Sequence, residues 1–187
     1  MTGFFEFKAK QSALVLAGLA SLSASQPDYH PFLILNQILA GAPDGGRLGD
    51  RILAEDAAIY GIQGEVTGEA AQQLFSVRVM AAPAEIGRTV ALMREEFGRI
   101  RDLGVTEDEI QRAKRSLIHA WASRMGRNEE VARMLQGIEA QGLGVDYLEK
   151  YPSLIEGVSR ESLLDCARTR FDFDPATIIV MSPGTPK

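Results

Sequence analysis

The start of the chain has the hydrophobic pattern of a β-strand. Apolar Phe5, Phe7 and Ala9 alternate with charged residues, and the continuously apolar run ALVLAGLASL follows at 13–22. Alternation is typical of a strand with one covered face, and an apolar run is typical of a strand covered on both faces. We therefore predict one strand over residues 4–20, placed centrally in a sheet.

Helical spacing replaces this pattern after the turn sequence SASQPD at 23–28. One helix is predicted from near Asp28 to Gly41, and its apolar face contains Phe32, Leu35, Ile38 and Leu39. The glycine-rich turn PDGG follows at 43–46, and a second amphipathic helix is predicted from Arg47 to about Asp56. Residues 36–62 therefore hold a helix end, a turn, a helix and the start of a strand, and we expect any functional site there.

The rest of the chain predicts a hairpin, a series of helices and a last strand. Residues 60–66 and 74–81 have the alternation of an antiparallel hairpin. Two long helices are predicted next, one from Pro83 to about Gly104 and one that starts at the capping box of Thr106 and Glu109 and runs toward Met125. The remaining predictions are a helix capped by Asn128 that ends at Gly142 or Gly144, a short helix interrupted by Pro152 and Gly157, a helix from Ser159, and a strand at 177–181.

This order of elements predicts one α+β domain with an antiparallel-rich sheet and helices packed on one face. The chain has 187 residues, of which 45% are hydrophobic, and this is enough for a buried core. Its net charge is -5, from 20 basic and 25 acidic residues. Because this charge provides no positive field for phosphates, nucleic acid is not an expected partner.

The apolar run at 13–22 also has some features of a signal peptide, since Lys8 and Lys10 precede it and the small residues SAS follow it. The alternation before it favours a strand, so we expect a soluble chain without a signal peptide. No run of 18 apolar residues occurs, and no membrane-spanning segment is predicted. The single cysteine, Cys166, excludes an internal disulfide and is expected to be buried, so the compartment stays open.

Five segments, in this order and spacing, carry a resemblance to a known family. They are QSALVLAG at 11–18, PDYHPFLILNQILAG at 27–41, GGRL at 45–48, the pair Ile59 and Tyr60, and VTEDEIQRAKRSL at 105–117. The chain resembles the pitrilysin, insulin-degrading enzyme and mitochondrial processing peptidase superfamily of zinc peptidases. More narrowly, it resembles the C-terminal, non-zinc domain of their half-units, over a core of about residues 10–183 of the single domain at 1–187.

The resemblance implies a fold and a division of labour. Members of the superfamily have paired α+β domains, each with a curved antiparallel sheet backed by helices, and two halves close around an unfolded peptide. Zinc is held in the N-terminal domain by an HxxEH motif. This chain is therefore expected to have a zinc-bearing partner domain or subunit, an unfolded polypeptide as substrate, and no cofactor of its own.

Histidine positions agree with that division. The residues three and four positions after His30 are Leu33 and Ile34, and those after His119 are Ala122 and Ser123, so HxxEH is absent. A GxSxG nucleophile motif is also absent. GAPDGGRL at 41–48 departs from a phosphate-binding loop, because arginine and leucine replace its lysine and hydroxyl residue. The chain alone is therefore not expected to be a peptidase.

The superfamily places substrate capture at a tyrosine and at an arginine seven residues before it. Here the tyrosine is Tyr60, and the arginine position holds Leu53. Arg51 is two residues earlier, which turns it by about 200° around a helix. A phenol can donate to a peptide carbonyl or oxyanion, so Tyr60 is the main substrate-binding candidate, although it could equally be an aromatic residue packed at a strand edge.

Arg47 and Arg51 are weaker candidates for substrate binding. Arg47 stands at a helix start in a surface turn, where we expect it to be solvated or paired with Asp44 or Asp50. An edge of the hairpin could also accept an extended peptide as an added strand.

Three functions stay open at this point. The chain could be the substrate-binding and chamber-closing domain of a pitrilysin-like peptidase. It could be a non-catalytic partner subunit or scaffold, which Leu53 in the arginine position permits. It could also be an independent peptide-binding module that forms a homodimer.

Overall fold

A computed structural model describes residues 2–6, 12–54, 59–69, 72–171 and 177–182. Five strands lie in these ranges: β1 Thr2–Glu6, β2 Ser12–Leu22, β3 Ile59–Glu69, β4 Gln72–Ala81 and β5 Thr177–Ser182. The described helices are α1 Tyr29–Asn36, α2 Gly46–Ala54, α3 Ile86–Leu103, α4 Glu107–Arg124, α5 Asn128–Ala140, α6 Tyr147–Glu156 and α7 Arg160–Arg170. A π-helical segment, Gln37–Gly41, continues α1, and a 3-10 turn, Pro83–Glu85, precedes α3.

The strands form one sheet in the order β1-β5-β2-β4-β3, with β1 parallel to β5 and every other pair antiparallel. The antiparallel-rich sheet and the central place of β2 confirm the prediction. The single strand predicted over residues 4–20 is wrong, because β1 and β2 pair with opposite sides of β5. Val180 lies between Phe4 and Leu14 in the register. Residues 7–11 lie outside the described ranges.

The predicted hairpin is confirmed and fixes the faces of its two strands. Ile62 pairs with Val79 and Val66 pairs with Phe75. Along β4, Phe75 and Val79 are buried, whereas Arg78 is exposed. The register shifts between Ile59 and Gly61, where Tyr60 is the extra residue. Curvature of the sheet and the packing of all helices on one face stay predictions.

Most helix starts follow the local sequence signals. Thr106 accepts from the Glu109 backbone N–H, and the Glu109 carboxylate accepts from the Thr106 backbone N–H, so the capping box is confirmed. Helix α1 starts next to Asp28 and α7 starts next to Ser159, as predicted, and the Ser159 hydroxyl accepts from the Ser162 N–H. Asn128 was expected to cap α5, but Arg127 takes that position.

Two predicted helix breaks are displaced in the structure. Helix α5 ends at Ala140, before the predicted Gly142. Helix α6 runs through Pro152 to its end before Gly157, although proline has no N–H to donate within a helix. Its buried residues Tyr147, Tyr151 and Ile155 repeat every four positions. The packing of this face holds the helix together across the proline.

The core between the sheet and the helices contains a group of four phenylalanines. Phe32 of α1 packs edge-on against Phe75 of β4, with ring centroids 5.1 Å apart, and it also contacts Phe171 at 5.4 Å. Phe97 of α3 contacts Phe171 at 5.4 Å. Cys166 is buried and has a free thiol, and burial raises its pKa to about 12. Its buried location confirms the prediction from its helical position.

Candidate functional site

The glycine-rich turn places α2 directly under the π-helical segment. Gly46, the first residue of α2, has a φ of 57°. A Cβ at this position would lie 2.4 Å from the backbone oxygen of Ile38. Both the left-handed backbone and the close approach require glycine. The Gly46 N–H donates to Asp44 Oδ1 at 3.1 Å, which closes the turn.

Arg47 follows this turn, and its guanidinium contacts α3, α4 and the segment between them. Its Nε and Nη2 atoms donate to the two carboxylate oxygens of Glu109, at 2.6 and 2.7 Å. Nη2 also donates to Gly104 O at 3.3 Å, and Nη1 lies 3.5 Å from Glu96 Oε1. The prediction that Arg47 is solvated or paired with Asp44 or Asp50 was wrong. The cause is tertiary, because the packing of α3 and of the first turn of α4 brings Glu96 and Glu109 to the turn.

Glu109 serves both the capping box and the ion pair. One of its oxygens accepts from the Thr106 N–H and from Thr106 Oγ1, each at 2.7 Å. The hydrogen bonds from Arg47 lower the Glu109 pKa from 4.5 to about 2, with Thr106 contributing in the same direction. The same pair raises the pKa of Arg47. Both side chains are therefore charged at neutral pH.

The remainder of α2 packs on α3 and on β3. Arg51 Nη2 lies 3.2 Å from Glu95 Oε2 of α3. Buried Ile52 packs with Leu92 of α3, and Ile62 of β3 packs against this pair. Leu53 lies in α2, but its side chain is outside the described part of the chain. Helix α2 thus connects the glycine turn to the beginning of β3.

Tyr60 is the second residue of β3 and lies at the bulge of the hairpin. Its side chain is 56% exposed. The structure gives its phenol no hydrogen bond to any other described residue. In the described sheet β3 pairs only with β4, so β3 is an edge strand. Tyr60 therefore lies at the edge of the described sheet with an exposed side chain.

Farther along β3, the edge is held by Asn36 at the end of α1. Asn36 is buried, and its Nδ2 donates to Gly64 O at 3.2 Å. A Cβ at Gly64 would lie 2.5 Å from Asn36 Oδ1 and 2.9 Å from Ala40 Cβ. Gly64 thus lets β3 lie close to Asn36 and to Ala40 of the π-helical segment.

A cleft of about 210 Å³ lies beside Arg47, between the glycine turn and α4. Its lining includes Asp44, Asp50, Arg112 and Ser116. Side chains of both charge signs are interspersed there, and Arg47 is already paired with Glu109. These residues do not form a positive cradle of the kind that binds phosphate.

Both histidines have ordinary structural environments. His30 is half-buried, its Nε2 lies 3.0 Å from the hydroxyl of Tyr147, and burial lowers its pKa. His119 is exposed on α4. Over the described residues, no three His, Cys, Asp or Glu side chains come together in a way that could hold a metal ion.

Sequence reasoning missed three of the polar residues at this site. Glu109 was identified only as the partner of Thr106. Glu96 lies between Met93 and Ile100 on the buried face of α3, and a carboxylate among apolar positions was the available signal. Asn36 was the corresponding signal at the end of α1.

No helix in the described ranges has the length and apolar character needed to cross a membrane.

One family model matches the chain, and solved structures share its fold. The family model described as "Peptidase M16 inactive domain" matches residues 4–117. No curated protein matches the sequence. The structure of a peptidase M16 inactive domain from Pseudomonas fluorescens is 24% identical with a TM-score of 0.84, and the match covers 100% of this chain and 44% of that one.

Two further solved structures are similar. The inactive peptidase domain of a candidate zinc protease from Bordetella parapertussis is 18% identical with a TM-score of 0.80, over 96% of each chain. A protease from Helicobacter pylori is 14% identical with a TM-score of 0.79, over 97% of this chain and 44% of that one. This chain spans less than half the length of the first solved structures that it matches. At these identities the likeness establishes the fold.

Proposed function

The chain belongs to the family of peptidase M16 inactive domains, and we propose that it binds an unfolded peptide for a zinc-bearing partner and closes the chamber in which that peptide is cut. The family corresponds to the C-terminal, non-zinc domain of the pitrilysin superfamily, as the sequence motifs predicted. Because the chain has no HxxEH motif, zinc and hydrolysis are assigned to a partner domain or subunit. By itself the chain is not proteolytic.

Exposed Tyr60 at the start of the edge strand carries the proposal. A tyrosine whose hydroxyl has a partner inside the fold would support a structural role, as the bond between Tyr147 and His30 does. Tyr60 instead presents an exposed phenol with unused donor capacity. Such a phenol can donate to a substrate carbonyl, and more strongly to the oxyanion that would form when water adds to that carbonyl.

The edge of β3 beside Tyr60 can hold the same substrate in an extended conformation. A peptide added to this edge would gain main-chain hydrogen bonds without any requirement for sequence. Gly64 O already accepts from Asn36, so we place the added strand nearer to Tyr60. Arg47 and Arg51 both form ion pairs within the fold. For this reason the substrate contact is assigned to Tyr60.

The alternation along the hairpin supports an arrangement with a helix-covered face and an open face. Buried Val77 and Val79 point to the helical layer, while Arg78 and Met80 are exposed. We propose that the sheet is curved, that all helices pack on its covered face, and that the open face lines the chamber. The whole of 1–187 then forms one domain.

Binding of an unfolded peptide tests the proposal directly. A fluorescein-labelled unstructured peptide is titrated with the chain and followed by fluorescence anisotropy. Tyr60→Phe removes only the hydroxyl, and we expect it to weaken binding by about 5-fold, which corresponds to one neutral hydrogen bond. Tyr29→Phe is the matched control on α1 and is expected to bind as the parent does. Equal binding by the Tyr60 variant and the parent would contradict the assigned contact.

Cleavage tests the division of labour. The chain is mixed with an HxxEH-bearing domain or subunit encoded in the same gene or in its neighbour. We expect this mixture to cleave the peptide, and we expect Tyr60→Phe to lower the kcat of cleavage. The chain alone should remain inactive with added zinc. Cleavage that is unchanged by Tyr60→Phe would exclude a contact in the transition state.

A non-catalytic partner or scaffold is the second candidate, because Leu53 occupies the position of the arginine in the family. In that case the chain forms a stable complex with the HxxEH-bearing subunit, measured by calorimetry, and contributes no substrate affinity. A homodimer detected by analytical ultracentrifugation, with peptide binding but no affinity for such a subunit, would instead favour an independent peptide-binding module.

A further inference from the structure

Arg47 and Tyr60 are linked through a continuous set of contacts. Arg47 is bound to α4 through Glu109 and to α3 through Glu96. These bonds hold the first turn of α2 against the middle of α3 and the first turn of α4. The hydrogen bond from Arg47 to Gly104 O reaches the segment between these two helices. The position of α2 is therefore set by polar contacts at its N-terminal end.

The opposite side of the same turn and helix touches the beginning of β3. A Cβ at Gly45 would lie 3.2 Å from Ile62 Cβ, so the turn and the strand are already in close contact. Ile62 also packs against the pair formed by Ile52 of α2 and Leu92 of α3. Ile62 is two residues after Tyr60. A displacement of α2 would therefore move the wall against which this part of β3 packs.

We infer that Arg47 is a positioning residue for Tyr60: its bonds to Glu96, Glu109 and Gly104 hold α2 in the place that fixes the start of β3. The inference rests on the proposed function for its consequence at the substrate, but its structural part holds for β3 whether or not a peptide binds. Arg47 itself does not touch the peptide. The arginine that the sequence suggested as a substrate contact acts through the fold.

The geometry requires an arginine at this position. Two parallel hydrogen bonds to Glu109 use one edge of the guanidinium, and the remaining Nη1 faces Glu96. A lysine carries the same charge but has a single nitrogen, which cannot reproduce the paired contact and the bond to Gly104 together. Arg47→Lys should consequently retain part of the stability and lose much of the positioning.

The experiment compares Arg47→Gln with a matched ion pair elsewhere. Arg170 Nε lies 2.6 Å from Asp28 Oδ2, and its side chain is 27% exposed, close to the 20% of Arg47. This pair joins the end of α7 to the N-cap of α1, and among the described residues neither partner forms a hydrogen bond or ion pair with α2 or β3. Arg170→Gln therefore reports the general loss of an ion pair of the same length.

Hydrogen exchange is measured at the β3 amides of 59–69 in the folded protein. Each variant is measured at the same number of degrees below its own melting temperature. Arg47→Gln is expected to increase the exchange rate of these amides by about 10-fold or more. Arg170→Gln should change that rate by less than about 2-fold. Arg47→Lys should give an intermediate increase. If Arg47→Gln does not fold, Arg47→Lys decides the same comparison. Equal exchange in the Arg47 and Arg170 variants would overturn the positioning role.

A fluorine signal reports Tyr60 itself. The chain has four tyrosines, so 3-fluorotyrosine labelling gives a resolvable spectrum, in which loss of one resonance in Tyr60→Phe identifies its signal. Arg47→Gln is expected to shift or broaden that resonance, and Arg170→Gln is expected to leave it unchanged. An unchanged Tyr60 resonance in both would contradict the inference.

Peptide affinity separates this inference from the proposed function. If both hold, Arg47→Gln weakens peptide binding by about the same factor as Tyr60→Phe, and the double variant is little weaker than either. If Tyr60→Phe weakens binding but Arg47→Gln does not, the positioning role fails while the proposed function stands. If β3 loosens in Arg47→Gln and Tyr60→Phe binds normally, the proposed function fails and the structural link stands.

Discussion

Arg47 and Tyr60 lie close together in the chain and have opposite environments. Arg47 is mostly buried, and its guanidinium contacts two carboxylates and a backbone oxygen. Tyr60 is 56% exposed, and its phenol has no partner among the described residues. A polar group whose donors are satisfied inside the fold is not available to a ligand. The difference indicates a structural role for Arg47 and leaves Tyr60 as the residue to which we propose substrate binding.

The largest loss of stability is expected from Gly46→Ala, next to Arg47. The new Cβ would meet the Ile38 carbonyl at 2.4 Å and would force alanine into a left-handed backbone. We expect a loss of about 3 kcal/mol in the free energy of unfolding, measured by urea titration. Gly87→Ala on α3 is the control, because its Cβ would meet nothing within 4 Å. A loss below about 1 kcal/mol for Gly46→Ala would show that the turn can relax.

Arg47→Gln is expected to have the next largest effect. It leaves Glu96 buried with weaker compensation, so we expect the free energy of unfolding to fall by about 2 kcal/mol. A double-mutant cycle with Glu109→Gln should give a coupling of about 1 kcal/mol. The exposed pair of Arg112 and Asp108, 3.1 Å apart, is the control, with a coupling below about 0.5 kcal/mol. Similar couplings for both pairs would contradict the special place of Arg47.

Acid should weaken the ion pair between Arg47 and Glu109. Glu109 has a folded-state pKa of about 2 and an ordinary pKa of 4.5. Because the folded pKa is the lower one, its contribution is fully present above pH 4.5 and is lost as the pH falls toward 2. The difference in unfolding free energy between the parent and Arg47→Gln should therefore narrow through this window. A constant difference from pH 6 to 3 would mean that the pair does not hold the carboxyl ionised.

The smallest effect on stability is expected at Tyr60. Tyr60→Ala removes an exposed ring and should change the free energy of unfolding by no more than about 0.5 kcal/mol. Tyr151→Ala is the contrasting variant, because Tyr151 is buried and stacks on Trp121 with centroids 4.1 Å apart. The free energy of unfolding of Tyr151→Ala should be lower than that of the parent by about 3 kcal/mol. A large loss at Tyr60 would give it a structural role and remove the main support for substrate binding.

Signals within one or two turns of chain were sufficient for many elements. Thr106 and Glu109 satisfy each other's backbone groups, so the start of α4 needed no information from elsewhere. The same holds for Ser159 at the start of α7. Pro152 shows the limit of such signals, because the packing of Tyr147, Tyr151 and Ile155 overrides the local preference for a break.

The candidate site divides in the same way. Tyr60 at the beginning of a strand was predictable, since the alternation of the hairpin and the motif order both locate it. The partners of Arg47 were not, because Glu96 and Glu109 are distant in sequence and approach the turn only when α3 and α4 pack. Asp44 and Asp50 were nearer along the chain, but the turn directs the guanidinium away from them.

The sequence by itself determined the family, the helix starts that have their own caps, the hairpin and the absence of an HxxEH motif. These depend on residue order and on hydrogen bonds between near neighbours. Tertiary structure decided that residues 4–20 contribute to two strands, one on each side of β5. It also decided that Arg47 is held by Glu109 while Tyr60 stays exposed at the edge. Pairing between distant segments depends on the closure of the whole core, which no local pattern encodes.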